Sequence, residues 1–204
     1  MAINQQNPPK TADRTIDKFK SRLSGGIARP NLFEVVLAFP DGVVDDSVSD
    51  LDAKARFLVK AAALPASNIA PISVPFRGRT LKIAGDRTFE PWTVTIQNDS
   101  GFVLRSAFEL WASSIQAYNE NFTAAGGLGD QDDATGYFAD MTVHQLARDV
   151  KDGKSPKILK SYRFYNVFPS NIAAIDLDFG NNDAIEEFTV ELQTQYWTPI
   201  QANS

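Results

Sequence analysis

The side chains of this chain that are able to do chemistry are few and scattered. His144 is the single imidazole, cysteine is absent, and the aspartates gather in two places, Asp41 to Asp52 and Asp130 to Asp133. An imidazole acts near neutral pH as a proton acceptor or metal ligand, but either role needs a serine or carboxylate to work with, or further ligands. His144 instead stands in an alternating run, Tyr137 to Ala147, with Val143 and Gln145 beside it, and reads as a hydrogen-bonded residue of a strand. Asp41 to Asp52 holds five aspartates and no cation, which suits a solvated loop; the ligand spacing of a calcium-binding loop is missing. Asp130, Asp132 and Asp133 begin like such a loop, yet Gly136 comes one place late. Gly126-Gly127-Leu128-Gly129 does not join a strand to a helix, so it is no phosphate cradle. Without thiols or a catalytic constellation, the expectation is a protein with no cofactor and no metal that is not an enzyme.

The elements that would position these side chains follow from composition and periodicity. The 204 residues suit one domain with appendages, and 14 Phe, 3 Trp and 5 Tyr point to strand-rich packing. No apolar run approaches a membrane span, and the first residues lack the apolar core of a signal peptide, so a cytoplasmic place of synthesis with no membrane anchor is expected. The net charge of −5 argues against a sequence-independent grip on nucleic acid. That charge is unevenly spread. Residues 1–28 carry Lys10, Arg14, Lys18, Lys20 and Arg22 against Asp13 and Asp17, a net +3 that leaves −8 for the rest.

In chain order, a polar tail leads to a short helix over Thr15 to Leu23 with Ile16, Phe19 and Leu23 in a stripe, ended by Gly25-Gly26. Asn31 to Phe39 is the first core strand and Ala55 to Ala63 the second, closed by Pro65. After Asn98-Asp99-Ser100 the period changes to 3.6, with Leu104, Phe108, Trp111, Ile115 and Tyr118 on the packed stripe of a helix. Asn119 to Gly136 is a loop. Further strands are expected over Tyr137 to Ala147, Ile158 to Phe168 (ended by Pro169), Ile172 to Phe179, and a last strand through Trp197 that puts Phe188, Val190, Leu192, Thr194 and Tyr196 on one face.

Between these lies the stretch that organises the chain. Ile72, Val74 and Phe76 alternate with Pro71, Ser73 and Pro75; Arg77-Gly78 turns the chain; and Arg79, Leu81 and Ile83 lie on the return arm, which is expected to end near Gly85. The two prolines strip donors from one edge of the first arm and leave its other edge able to pair. A turn at Gly85-Asp86 is expected next, then a strand with Trp92, Val94 and Ile96 on one face.

Three segments, Ala28 to Glu34, Ala84 to Thr95 and Phe188 to Trp197, resemble the inner tail tube proteins of contractile-tailed bacteriophages. The specific run is Gly85-Asp86-Arg87-Thr88-Phe89 ahead of Trp92-Thr93-Val94. The resemblance implies a mainly β fold, an antiparallel β-sandwich or barrel with one packing α-helix and a long protruding hairpin. It also implies a structural virion protein whose hexameric rings stack into the tail tube, assembled in the host cytoplasm. The implied partners are the chain itself, the tail sheath protein, the baseplate hub or tube initiator, and the tape measure and terminator proteins, with double-stranded DNA passing through without specific binding. The alternative is a tube-initiator or baseplate paralogue, or a tube subunit of a related contractile injection system. Residues 1–27 then form a basic arm, 28–199 the tube domain and 200–204 a tail. The hairpin residues Ile72, Val74, Phe76, Arg77, Arg79, Leu81 and Ile83 are expected between subunits. The arm residues Arg14, Lys18, Phe19, Lys20 and Arg22 are expected between rings, against an acidic surface such as Asp41 to Asp52.

Overall fold

A computed structural model describes residues 15–23, 26–40, 51–119, 122, 136–151 and 155–200. Among these residues the strands are β1 (Phe33–Val36), β2 (Val59–Ala62), β3 (Ser67–Phe76), β4 (Arg79–Phe89), β5 (Trp92–Gln97), β6 (Ala139–Lys151), β7 (Ser155–Ile172), β8 (Glu187–Gln193) and β9 (Tyr196–Ile200). The helices are α1 (Ile16–Arg22), α2 (Leu51–Leu58) and α3 (Val103–Ile115). All strand pairs are antiparallel.

Two four-stranded sheets share the long strand β7. One runs β1-β6-β7-β9 and the other β7-β8-β5-β2. The strand changes sheet at Asn166, an extra residue against β6 whose φ is +52°. Asparagine tolerates that left-handed conformation, and the Asn166 N–H donates to Asp140 Oδ1 at 3.0 Å, fixing the corner. The core between the layers follows the alternation of the strands. Trp92, Val94 and Ile96 of β5 and Phe188, Val190 and Leu192 of β8 are buried, and Trp92 lies flat on Phe164 of β7 with centroids 4.4 Å apart. Helix α3 covers this core with Leu104, Ala107, Phe108 and Trp111.

Several sequence expectations are corrected. The second strand is only β2; Leu51–Leu58 is a helix, because Leu51 and Ala55 recur at helical spacing and both are buried. Helix α3 ends at Ile115, which leaves Tyr118 exposed instead of on the packed stripe. Strand β7 does not stop at Pro169. The β6 pairing ends at Val167, so beyond that point β7 has a free edge where a missing N–H leaves no ladder bond open. Ile172 to Phe179 is not a strand: the ladder ends at Ile172, and Leu177 and Phe179 are fully exposed on a loop. The last strand breaks at Thr194-Gln195, which reverses its faces, so Trp197 packs against the core while Tyr196 is exposed. The expected loop over 41–50 and most of 119–136 lies outside the described residues.

Candidate assembly interface

The hairpin turns at Arg77 (φ +43°) and Gly78 (φ +83°), the two positive-φ positions of a two-residue turn whose twist matches that of its strands. Ile72 faces Ile83, Val74 faces Leu81 and Phe76 faces Arg79, so six side chains share one face. Pro71, Ser73, Pro75, Thr80, Lys82 and Ala84 form the other. The Arg77 guanidinium lies 5.6 Å from the centroid of Phe76. Every residue from Asn68 to Ala84 is exposed, Phe76 at 68% and Leu81 at 60%. A two-stranded ribbon in water is marginally stable on its own, and among the described residues none covers the apolar face of this one.

The return arm has no turn at Gly85-Asp86, contrary to the sequence expectation. β4 continues to Phe89, and Gly85-Asp86 instead places an extra residue opposite Ala70, where the ladder shifts register. Glycine is required there, because a Cβ at Gly85 would meet the Ala70 carbonyl oxygen at 2.6 Å. Beyond the shift, Ser67 pairs with Phe89, Ala62 pairs with Val94, and the bonds Glu90 N–H to Ala66 O and Ala63 N–H to Thr93 O join the two ladders. The protruding hairpin and β2–β5 are therefore one long ribbon, anchored where β5 enters the core. Gly85, Asp86, Arg87, Thr88 and Phe89 form the root of the protrusion and Trp92 its anchor; the Phe89 ring meets Trp197 edge-on at 6.1 Å. Asn68 Nδ2 donates to Glu90 Oε1 at 2.7 Å across the root.

The other sequence candidates lie apart from the hairpin. Lys18, Phe19, Lys20 and Arg22 are on α1, which buries no residue and leaves Ile16 68% and Phe19 62% exposed; Arg14 lies outside the described residues. His144 Nδ1 is 2.7 Å from Ser161 Oγ, across the β6–β7 ladder. A serine–histidine contact is the beginning of nucleophilic chemistry, but this pair lies on the sheet face opposite Val143 and Tyr162, and Ser161 is only 5% exposed. Among the described residues no group of three metal-ligating side chains converges, and no helix is long and apolar enough to cross a membrane.

Sequence reasoning missed a second apolar surface. The loop between β7 and β8 exposes Leu177, Phe179 and Ile185 around a hollow of about 590 Å³ that Asp176, Asp178 and Glu186 also line. Its signal was the charge distribution: after Arg163 the sequence has no Lys or Arg while acidic residues continue through Glu191. It also missed Asp99 as a tie between helices. Asp99 Oδ1 accepts from the Val103 N–H at the start of α3, and Oδ2 accepts from Lys54 of α2, both at 3.1 Å. Partial burial raises the carboxyl pKa, but the Val103 and Lys54 interactions outweigh it and hold Asp99 below the usual carboxylate range.

Comparison with known proteins places these features. Residues 28–199 match the family model described as phage tail tube protein. The chain is 34% identical over 174 residues to tail tube protein gp19 of Enterobacteria phage T4, covering 85% of this chain and 93% of that protein. It is 25% identical to the tail tube protein of Serratia phage KSP90 over 181 residues, covering 88% and 93%. The same fold occurs in the sheath-tube complex of an extracellular contractile injection system (TM-score 0.58, 15% identity, 89% and 97% covered). It occurs also in the tube-terminating cap of the anti-feeding prophage (TM-score 0.57, 16% identity, 86% and 92% covered). A chain with this ribbon-bearing β-sandwich, matched over most of its length, belongs to the phage tail tube protein family.

Proposed function

We propose that this chain is the repeating subunit of the inner tube of a contractile phage tail, and that it works by self-assembly and not by catalysis. The observation that carries this reading is the ribbon: it is rooted in the core, yet its apolar face, Ile72, Val74, Phe76, Leu81 and Ile83, is covered by none of the described residues of its own subunit. Such a face on a member of this family suits a neighbouring copy, repeated around a ring of six and stacked into a tube inside a sheath. Tape measure, terminator and baseplate hub proteins would meet the two ends. The identity to the T4 tail tube protein over 93% of that protein favours the main tube over an initiator paralogue.

A six-fold ring of chains at −5 carries about −30, which disfavours adhesion of DNA passing through it. The basic arm suits contact between successive rings. Its acidic receptor among the described residues is the loop between β7 and β8, where Leu177, Phe179 and Ile185 offer apolar surface beside Asp176 and Asp178. Gel filtration and negative-stain imaging of the purified chain test the proposal: rings or tubes are expected, and a monomer under every assembly condition, including seeding by tail fragments, refutes it.

A further inference from the structure

The two edges of the protruding ribbon are not equivalent, and the register shows which is able to accept another strand. In a two-residue hairpin the residues flanking the turn exchange both backbone bonds, and bonded pairs then recur at every second residue. Phe76 and Arg79, Val74 and Leu81, and Ile72 and Ile83 are therefore the bonded pairs, and their amides are spent inside the hairpin. Pro71, Ser73 and Pro75 on β3, and Thr80, Lys82 and Ala84 on β4, turn their backbone groups outward. On β3 two of those three positions are proline and only Ser73 has a donor. On β4 all three have both donor and acceptor.

The body explains why no described strand lies beside β4. Within the ribbon β4 continues into β5, and β8 occupies that side of β5 from Gln97↔Glu187 to Trp92↔Leu192. At Thr194-Gln195 that strand leaves the ribbon and follows β7 as β9, held by the Gln195 N–H to Tyr165 O bond. The place beside β4, where the sheet would otherwise grow, is taken by none of the described strands. The β3 edge instead continues the outer edge of β2, which already bounds the sheet.

We propose that the ribbon joins a second copy of this chain by strand addition at the outer edge of β4, with Thr80, Lys82 and Ala84 supplying the backbone donors and acceptors, while Pro71 and Pro75 close the β3 edge and so make the joint one-sided. With the β3 edge closed, ribbons do not chain to one another through both edges. Pairing of β4 with a different strand edge of the neighbouring copy is the heterologous kind of contact that closes a ring. This inference rests on the reading of the hairpin as an intersubunit element, which the apolar face tests separately.

The experiment is amide hydrogen exchange at single-residue resolution on soluble subunits and on assembled tubes. The Thr80, Lys82 and Ala84 amides should slow by at least about a hundredfold on assembly, while Ser73 changes by less than about threefold. Protection at Ser73 instead, or equal exchange at all four, overturns the inference. In parallel, Lys82→Pro removes an outward donor without touching the internal ladder, as Pro71 and Pro75 already do on β3. It should raise the subunit concentration needed for tubes by about tenfold or more, whereas Ser73→Pro shifts it by less than about twofold. Leu81→Asp tests the hairpin reading alone. If it abolishes tubes while Lys82→Pro does not, the joint lies on the apolar face and the edge inference fails by itself. If Leu81→Asp assembles normally, the hairpin reading fails. Protection of the β4 amides only after sheath protein is added would reassign the edge to that partner.

Discussion

Trp111 sits at the centre of the layer between α3 and the sheets, fully buried, with its indole N–H donated to Tyr137 O at 2.8 Å and Phe39 edge-on at 5.7 Å. Trp111→Ala should cost about 3–5 kcal/mol in denaturant unfolding of the soluble subunit, since the ring leaves both a cavity and an unpaired carbonyl. Trp92 is equally buried, but its indole nitrogen has no hydrogen-bond partner among the described residues. Trp92→Phe should therefore be tolerated better than Trp111→Phe in the same assay, because only the second change breaks a hydrogen bond. Asp99 gives a pH-dependent prediction. Its folded pKa is lowered despite desolvation, so the folded state binds this proton less readily than the unfolded chain. The resulting stability is fully present above the ordinary carboxylate range, at about pH 4 and higher, and is lost as pH falls through the lower folded value. Asp99→Ala should be less stable by about 1 kcal/mol at neutral pH, with the difference shrinking below about pH 4 as the wild type loses the same interactions. A pH-independent difference would assign the loss to packing instead.

At the scale of elements, the hairpin was legible because its signals are local: Arg77-Gly78 sets the turn, and the alternation of Ile72, Val74 and Phe76 sets the face. Helix α3 and strand β5 were legible for the same reason, their periods being clean and their buried residues large. The misreadings came where partners decide. Leu51–Leu58 is too short and too mixed for its period to outweigh the β-prone Phe57-Leu58-Val59, and its helical state depends on burying Leu51 and Ala55. Residues 172–179 alternate as a strand would, yet strand formation needs a neighbour. The face reversal at Thr194-Gln195 depends on the corner of β7 at Asn166, far off in sequence. The hairpin edge was read correctly in part: proline spacing marks the blocked edge of β3, but only the register shows that β3's other edge is consumed by β4. Ile83 accordingly belongs to an internal bonded pair with Ile72. Ile83→Pro should unravel the protrusion and give soluble monomer without rings, visible by gel filtration, while the unfolding midpoint of the body stays near wild type because the core residues lie elsewhere. Wild-type yields of rings from Ile83→Pro would take the hairpin out of the joint.

On the scale of the whole molecule the charges separate. The first 28 residues hold +3 and the rest −8, and the described part of the positive segment is a helix with Ile16 and Phe19 exposed. A positive amphipathic element tethered to an acidic body settles where acid and apolar surface coincide. The loop between β7 and β8 meets that description with Leu177, Phe179 and Ile185 beside Asp176, Asp178 and Asp183, while Asp41–Asp50 lies outside the described residues. Exposed ion pairs contribute only about 0–1 kcal/mol each and weaken with salt, so one arm matters little and a ring of arms matters through repetition. Deleting residues 1–24 should leave the subunit folded, with an unchanged unfolding midpoint, and should still permit single rings, because the deletion leaves the hairpin in place. Tube length in negative-stain images should fall, and high salt should shorten wild-type tubes toward the same distribution. Charge reversal at Asp176, Asp178 and Asp183 should shorten tubes as the deletion does, and pairing it with reversal of Lys18, Lys20 and Arg22 should restore part of the length. Tubes of wild-type length and salt tolerance after the deletion would remove the arm from ring stacking and leave the hairpin as the element on which assembly depends.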